Sequence, residues 1–76
     1  MRIRVKTVGT LKSLEEGPSE ISMEIPEGES VSSVIQRLQL KEWEIGFILV
    51  NQIRCGPDRI LHDQDELTFV APLVGG

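Results

Sequence analysis

The sequence has only one cysteine and one histidine, Cys55 and His62, among 76 residues. A single cysteine excludes an internal disulfide, and a thiolate metal cluster would need several more. We expect Cys55 to be a small apolar side chain in a short strand and His62 to be a solvated turn residue. The two could act as nucleophile and base only if the fold brought them together. This shortage argues against a catalytic centre and against a metal site.

Long apolar runs are also missing. No segment approaches the roughly 20 apolar residues of a membrane-spanning helix, and residues 1–6 contain no apolar run of the kind found in signal peptides. Acidic residues outnumber basic ones, 12 to 8, which gives a formal net charge of -4. Because phosphate binding depends on clustered Lys and Arg, this balance disfavours nucleic acid. We therefore expect a soluble, cytoplasmic protein that binds neither membranes nor nucleic acid.

Motifs for binding phosphate or cations are absent as well. Gly28 and Gly46 stand alone, so there is no glycine-rich phosphate loop. The acidic residues within 63–66 lack the ligand spacing and the glycine of an EF-hand, and Asp residues in turns commonly bond their own backbone. The sequence thus offers no motif typical of an enzyme.

Alternating apolar and polar residues predict a small set of strands around a single helix. Ser30 is a favourable N-cap, and Val31, Val34 and Leu38 follow helical spacing, which predicts a helix over 31–38. The segment 42–44 stays open, since Trp43 could close the end of the core or lie half exposed. The predicted strands are residues 1–8, 21–25, 47–50, 53–55 and 66–71.

The order of these elements predicts the fold class. One amphipathic helix can cover one face of a mixed sheet, which gives a two-layer α+β domain. A hairpin, a helix and then further strands is the order of the ubiquitin-like β-grasp fold, in which the first and last strands lie parallel at the sheet centre. We expect residues 1–72 to form this domain and residues 73–76 to form a flexible tail.

The strongest functional candidate is the segment Pro72-Leu73-Val74-Gly75-Gly76. Pro72 lacks an N–H and ends strand pairing, and the apolar pair after it has no remaining strand to complete. Glycines have no Cβ, so Gly75 and Gly76 can pass a narrow channel and leave the last carbonyl unhindered. Extended from residue 71, the segment reaches roughly 20 Å. Such a tail can insert its carboxylate into a cleft of another protein.

The sheet face away from the helix offers a second candidate site. Strand alternation should place Val8, Ile48 and Val70 on that face, where solvent is expected. Scattered apolar residues are ordinary on a protein surface, whereas three on adjacent strands would form a patch suited to a partner. We take these three residues as a candidate partner interface, with simple surface scatter as the alternative.

Several segments together resemble the MoaD/ThiS family of ubiquitin-like sulfur carriers. Members typically end in a Leu-x-Asp-Gly-Asp-Glu-Leu-like turn, a strand, a proline and a diglycine, and residues 61–76 resemble this ending. Its proline-to-diglycine part is the most specific feature and is closer to MoaD than to ThiS. The likeness spans the whole chain, and its other parts are residues 5–11, 26–31 and 50–52.

The resemblance implies a carrier whose chemistry is supplied by partners. An ATP-dependent, MoeB/ThiF-like activating enzyme would convert Gly76 into an acyl-adenylate, and a sulfur donor would replace the adenylate to leave a thiocarboxylate. The tail would then enter a sulfur-accepting, MoaE-like synthase, whose product in the MoaD branch is molybdopterin. The chain itself would be no enzyme and would bind no cofactor, because the partner uses the ATP.

Other outcomes stay open from the sequence. Relatives of this kind serve thiamin thiazole synthesis, tRNA thiolation or conjugation to protein lysines, and a plain interaction module with an idle tail is a further alternative. Gln52 and Gln64 stand where glycines are common in the family, which costs little only if both turns avoid positive φ. Residues 9–19 lack the Arg-Glu pair frequent in MoaD.

Overall fold

A computed structural model of the protein describes residues 1–9 and 20–72. None of the helices within these ranges is long and apolar enough to cross a membrane. A single-turn 3₁₀ helix follows the α-helix at Glu42–Glu44. The elements are β1 (Arg2–Val8), β2 (Glu20–Glu24), α1 (Val31–Arg37), β3 (Phe47–Val50), β4 (Ile53–Cys55) and β5 (Glu66–Val70).

The five strands form one mixed sheet in the order β2-β1-β5-β3-β4. β1 pairs in parallel with β5 at the centre, while the β1–β2 and β3–β4 pairs and the β3–β5 pair are antiparallel. Because β5 is the last of the described strands yet lies between β1 and β3, the sheet cannot be completed by local hairpins alone. This topology confirms the predicted ubiquitin-like β-grasp fold.

One face of the sheet and the inner face of α1 form the core. Val31 and Val34 of the helix are fully buried, as are Val5, Leu67 and Phe69 of the central strands. Full burial of side chains of this size contributes about 1.5–3 kcal/mol each to hydrophobic stabilisation. The apolar stripe that predicted the helix is therefore the surface that packs on the sheet.

The start of α1 is held mainly by the connection between β4 and β5. The Ser30 hydroxyl accepts only a long hydrogen bond, 3.4 Å, from the Ser33 N–H. The first helical N–H groups instead donate to the carbonyls of Arg59, at 2.9 Å, and Pro57, at 2.8 Å. A neighbouring chain segment thus supplies the acceptors that an isolated helix end would lack.

The segment after the helix answers the question that the sequence left open for Trp43. Trp43 is 66% exposed, so it does not close the core. Its neighbour Glu44 is buried, and the Glu44 carboxylate accepts a 2.7 Å hydrogen bond from the Lys41 N–H. The 3₁₀ turn is therefore fixed by a backbone–carboxylate contact, and the indole is left in solvent.

Candidate functional site

The predicted tail begins where β5 leaves the sheet. The Ala71 N–H donates to the Val8 carbonyl at 2.8 Å, which extends the β1–β5 ladder by one residue. Pro72 follows, half-buried and without an N–H, so the pairing ends there as expected. We call Ala71 and Pro72 the tail root. The remaining predicted tail residues, Leu73, Val74, Gly75 and Gly76, lie outside the described part of the chain.

Beside the tail root, the outer face of the sheet carries an apolar row. Val8 pairs with Val70 across the parallel ladder, and Val70 pairs with Phe47 across the antiparallel one. Leu49 lies one step further along the same face of β3, and Val8 is 54% exposed. We call Val8, Phe47, Leu49 and Val70 the docking face. It occupies the sheet end from which the tail departs.

The prediction that Ile48 belongs to this face is wrong. Ile48 is 7% exposed and pairs with the fully buried Phe69, so it points toward the helix and the core. The run Phe47–Val50 is entirely apolar, and such a run has no polar residue to mark which positions face outward. The pairing register of β3 with β5 places Ile48 on the inner face of the sheet and Phe47 and Leu49 on the outer face.

Charged side chains surround the docking face on the same side of the sheet. The Arg54 guanidinium carbon lies 4.8 Å from the centroid of the Phe47 ring, a cation–π contact. The Glu66 carboxylate lies 3.4 Å from Arg4 and 3.5 Å from Lys6. Arg4 and Lys6 are thus paired with one carboxylate, and Arg54 covers one ring of the docking face.

The turns at the opposite end of the sheet are tied together by Asn51. Its Nδ2 donates to Asp65 Oδ1 at 2.9 Å, and its Oδ1 accepts from the Glu66 N–H at 2.9 Å. Asp65 is buried, and its other oxygen accepts from the His62 N–H at 2.8 Å. This network holds the start of β5, so the motifs at 50–52 and 61–66 are structural and lie away from the tail.

Both glutamines that replace common glycines adopt left-handed backbone angles. The φ angle is 68° at Gln52 and 70° at Gln64. Left-handed geometry costs a residue with a Cβ about 1–2 kcal/mol. The condition under which these substitutions would cost little is therefore not met, and both turns are strained.

Cys55 and His62 do not form a joint site. Cys55 lines a cleft of about 510 Å³ between α1 and the β3–β4 hairpin, whereas His62 lines a separate hollow beside Met1. Burial raises the pKa of the Cys55 thiol, which favours the protonated, unreactive form. Within residues 1–9 and 20–72, no three His, Cys, Asp or Glu side chains are grouped so that they could hold a metal ion.

Comparisons with known proteins agree with this geometry. The sequence model of the ThiS family matches residues 5–76, which includes the diglycine. Among solved structures, SAMP1 from Haloferax volcanii is similar, with a TM-score of 0.79 and 15% identity over 100% of both chains. No curated protein matches the sequence.

Two further structures share the fold. One is a Pyrococcus furiosus protein described provisionally as molybdopterin converting factor, subunit 1; its TM-score is 0.76 at 24% identity, over 95% of this chain and 98% of that one. The other comes from the complex of subunits 1 and 2 of the molybdopterin-converting factor of Helicobacter pylori, with a TM-score of 0.65 and 22% identity over 100% of both chains.

Topology and neighbours together define a ubiquitin-like β-grasp domain, and within the described residues a single α-helix covers one face of its sheet. Within this fold class, the match to the ThiS family model identifies the family, because it covers residues 5–76. The chain belongs to the ThiS family, within the MoaD/ThiS group of ubiquitin-like sulfur carriers that its sequence resembles.

Proposed function

We propose that this protein carries sulfur as a thiocarboxylate at Gly76 and delivers it in cofactor biosynthesis, most specifically in the synthesis of molybdopterin. The observation that carries the proposal is the family match, which continues through the diglycine at residues 75–76. The proline at the tail root, two residues after β5, supports it, because the last strand then leads directly into the tail. The ending Pro-x-x-Gly-Gly favours the molybdopterin branch over the thiazole branch.

The reaction takes place in a partner's pocket. An oxygen of the Gly76 carboxylate attacks the α-phosphorus of ATP, pyrophosphate leaves, and an acyl-adenylate forms. Hydrosulfide, or a donor of equivalent sulfur, then attacks the carbonyl carbon, and AMP leaves with release of a proton. This chain contributes the unhindered glycyl carbonyl and the reach of the tail. It acts as a co-substrate in the cytoplasm, while the ATP belongs to a MoeB/ThiF-like activating enzyme.

The docking face is the part of the domain that we assign to the partners. It presents apolar side chains on adjacent strands, next to the tail root, so one partner can cover the face and receive the tail together. We assign Val8 and Val70 to this interface, as the sequence predicted, and we assign Phe47 and Leu49 to it in place of the buried Ile48. The Helicobacter pylori complex of subunits 1 and 2 supports a MoaE-like synthase as the second partner.

Intact mass measurement tests the proposal. The chain is incubated with the MoeB/ThiF-like enzyme of the same genome, ATP and sulfide, and we expect a mass gain equal to exchange of one oxygen for sulfur. A chain lacking Gly76 should show no gain. Transfer to a MoaE-like synthase, read as molybdopterin formation, then tests the pathway. An unchanged mass with the competent enzyme would refute the carrier function.

A matched pair of variants tests the docking face. Val8→Asp adds a charge at the exposed edge of the face, whereas Ser22→Asp adds the same charge to the same side of the sheet on β2, away from the tail. We expect Val8→Asp to raise the KM of the carrier for its activating enzyme and Ser22→Asp to leave it near the wild-type value. Equal values would assign recognition to another surface.

Conjugation to protein lysines is the second candidate. The fold similarity to SAMP1, the small archaeal modifier protein 1 of Haloferax volcanii, in two solved structures favours this second function. Activation is common to both functions and only the acceptor differs. Covalent ladders on other proteins after ATP-dependent activation, in place of the sulfur-exchanged species, would identify the chain as a modifier.

A further inference from the structure

Two glycines enclose the tail root from opposite sides. Gly9 directly follows β1, and Gly46 directly precedes β3, while β5 runs between these strands. On one side the Ala71 N–H donates to the Val8 carbonyl, and on the other the Gly46 N–H donates to the Val70 carbonyl at 2.6 Å. The chain therefore leaves the sheet through a slot whose walls are backbone.

Neither wall has space for a side chain. A Cβ on Gly46 would lie 3.0 Å from the Cα and the N of Pro72 and 3.0 Å from the Val70 carbonyl oxygen. A Cβ on Gly9 would lie 2.9 Å from the Ala71 Cβ, and Gly9 has a φ of +86°. Backbone atoms cannot move aside as the end of a long side chain can, so an added methyl group at Gly46 requires the backbone at Val70–Pro72 or at Gly46 itself to shift by a few tenths of an ångström.

The other described glycines are not crowded in this way. Gly28 has nearly the same backbone angle as Gly9, with a φ of +83°, but a Cβ there meets nothing within 4 Å. A Cβ on Gly56 would approach only the Asp58 carboxylate, at 3.1 Å, and that side chain can rotate. Among the four glycines that the structure describes, close packing by main chain or by Cβ is thus confined to the two that flank the tail root.

We propose that Gly9 and Gly46 are positioning residues that set the direction in which the tail leaves the sheet, so that Gly76 meets the partner's reactive centre while the docking face is bound. This inference rests on the proposed carrier function. Val8 and Phe47 of the docking face adjoin the two glycines in sequence, so the face and the slot are fixed to the same strand ends. When a partner's channel holds four residues extended, they span roughly 13 Å, and a tilt of about 10° at the root then moves the last of them by about 2 Å.

Kinetics of adenylation separate positioning from binding. We compare Gly46→Ala with Gly56→Ala, and Gly9→Ala with Gly28→Ala, as carriers for the activating enzyme in ATP–pyrophosphate exchange. Misplacement of a reacting group by about 1 Å can lower a rate roughly 100-fold. We expect Gly9→Ala and Gly46→Ala to lose about 10-fold to 100-fold in kcat with little change in KM, and the two control variants to match the wild type.

A compensating substitution tests the contact at Gly9 directly. The atom that a Gly9 methyl group would meet is the Ala71 Cβ, so Gly9→Ala combined with Ala71→Gly removes the clash and keeps the backbone strain. The double variant should regain most of the kcat that Gly9→Ala loses, measured against Ala71→Gly alone, which carries the same glycine at position 71. Gly9→Ala and Gly28→Ala carry the same strain in φ. An equal loss of kcat in both variants would therefore reflect instability alone and would contradict a positioning role for Gly9.

The outcomes distinguish this inference from the carrier function. Adenylation of the wild type together with normal kcat in Gly9→Ala and Gly46→Ala would overturn the positioning role and leave the carrier function standing. A raised KM with unchanged kcat would show that the glycines only shape the docking face, which also overturns it. Absence of adenylation in the wild type would overturn the carrier function, and the inference with it.

Discussion

Truncation of Ile48 provides a quantitative test of the register of β3. Ile48→Ala removes three buried carbon atoms, which at about 0.8 kcal/mol per methylene corresponds to roughly 2.4 kcal/mol of transfer free energy. The neighbours Phe69 and Val50 are fully buried, so the remaining cavity adds to this loss. Substitutions of this kind destabilise by about 2–5 kcal/mol in total.

Such a loss is large for a domain of this size. At about 0.05–0.15 kcal/mol per residue, the free energy of unfolding of a 76-residue chain is roughly 4–11 kcal/mol. Each kcal/mol should lower Tm by about 4–8 °C. Val8→Ala is the matched control, because Val8 is 54% exposed and should change stability by less than about 0.5 kcal/mol.

Urea unfolding followed by circular dichroism measures both variants under the same conditions. We expect a clear fall in the urea midpoint for Ile48→Ala and almost none for Val8→Ala. A folded Ile48→Ala protein with the wild-type midpoint, together with reduced affinity for the activating enzyme, would mean that Ile48 faces outward. In that case the strand register described above would be wrong.

Three further predictions concern the turns and the cysteine. Gln52→Gly and Gln64→Gly should each stabilise the domain by about 0.5–1 kcal/mol, because glycine relieves the left-handed strain at some entropic cost. The urea midpoint should therefore rise. A fall in the midpoint would show that the glutamine side chains make contacts that stabilise more than the strain destabilises. A hydrogen bond from the Arg2 N–H lowers the pKa of Asp63. The stabilisation by the ionised Asp63 carboxylate is complete above its ordinary pKa of about 3.9 and is lost as pH falls through its lower pKa in the folded state. Asp63→Asn should therefore lower the urea midpoint at pH 7 and reduce the dependence of that midpoint on acid pH. Because burial raises the pKa of the Cys55 thiol, iodoacetamide should alkylate it more slowly at pH 7 than after unfolding, and equal rates would contradict that environment.

Sequence pattern was sufficient for those elements in which polar and apolar residues alternate. In β1 the basic residues Arg2, Arg4 and Lys6 alternate with the buried Ile3 and Val5, so its inner and outer faces could be assigned directly. The helix was equally clear, because a capping serine precedes a regular apolar stripe. Its predicted end at Leu38 differs from the structure by one residue, since Leu38 is the C-cap.

The features that sequence could not supply depend on register. β3 has no polar residue to mark its phase, so Ile48 was placed on the wrong face, and Phe47 and Leu49 were missed. The cation–π contact of Arg54 with Phe47 exists only because β4 pairs beside β3. Gly46 likewise meets Pro72 only through the β3–β5 ladder, and no local signal connects residues so distant in the chain.

The central position of β5 also affects how the protein is made. A nascent chain that ends before Glu66 has β1 and β3 but lacks the strand that joins them. The pairing of Arg4 with Glu66 closes a long loop and must await the late part of synthesis. A chain interrupted before residue 66 therefore lacks the strand that joins the two halves of the sheet, and residues 71–72 can leave the sheet only once β5 is in place.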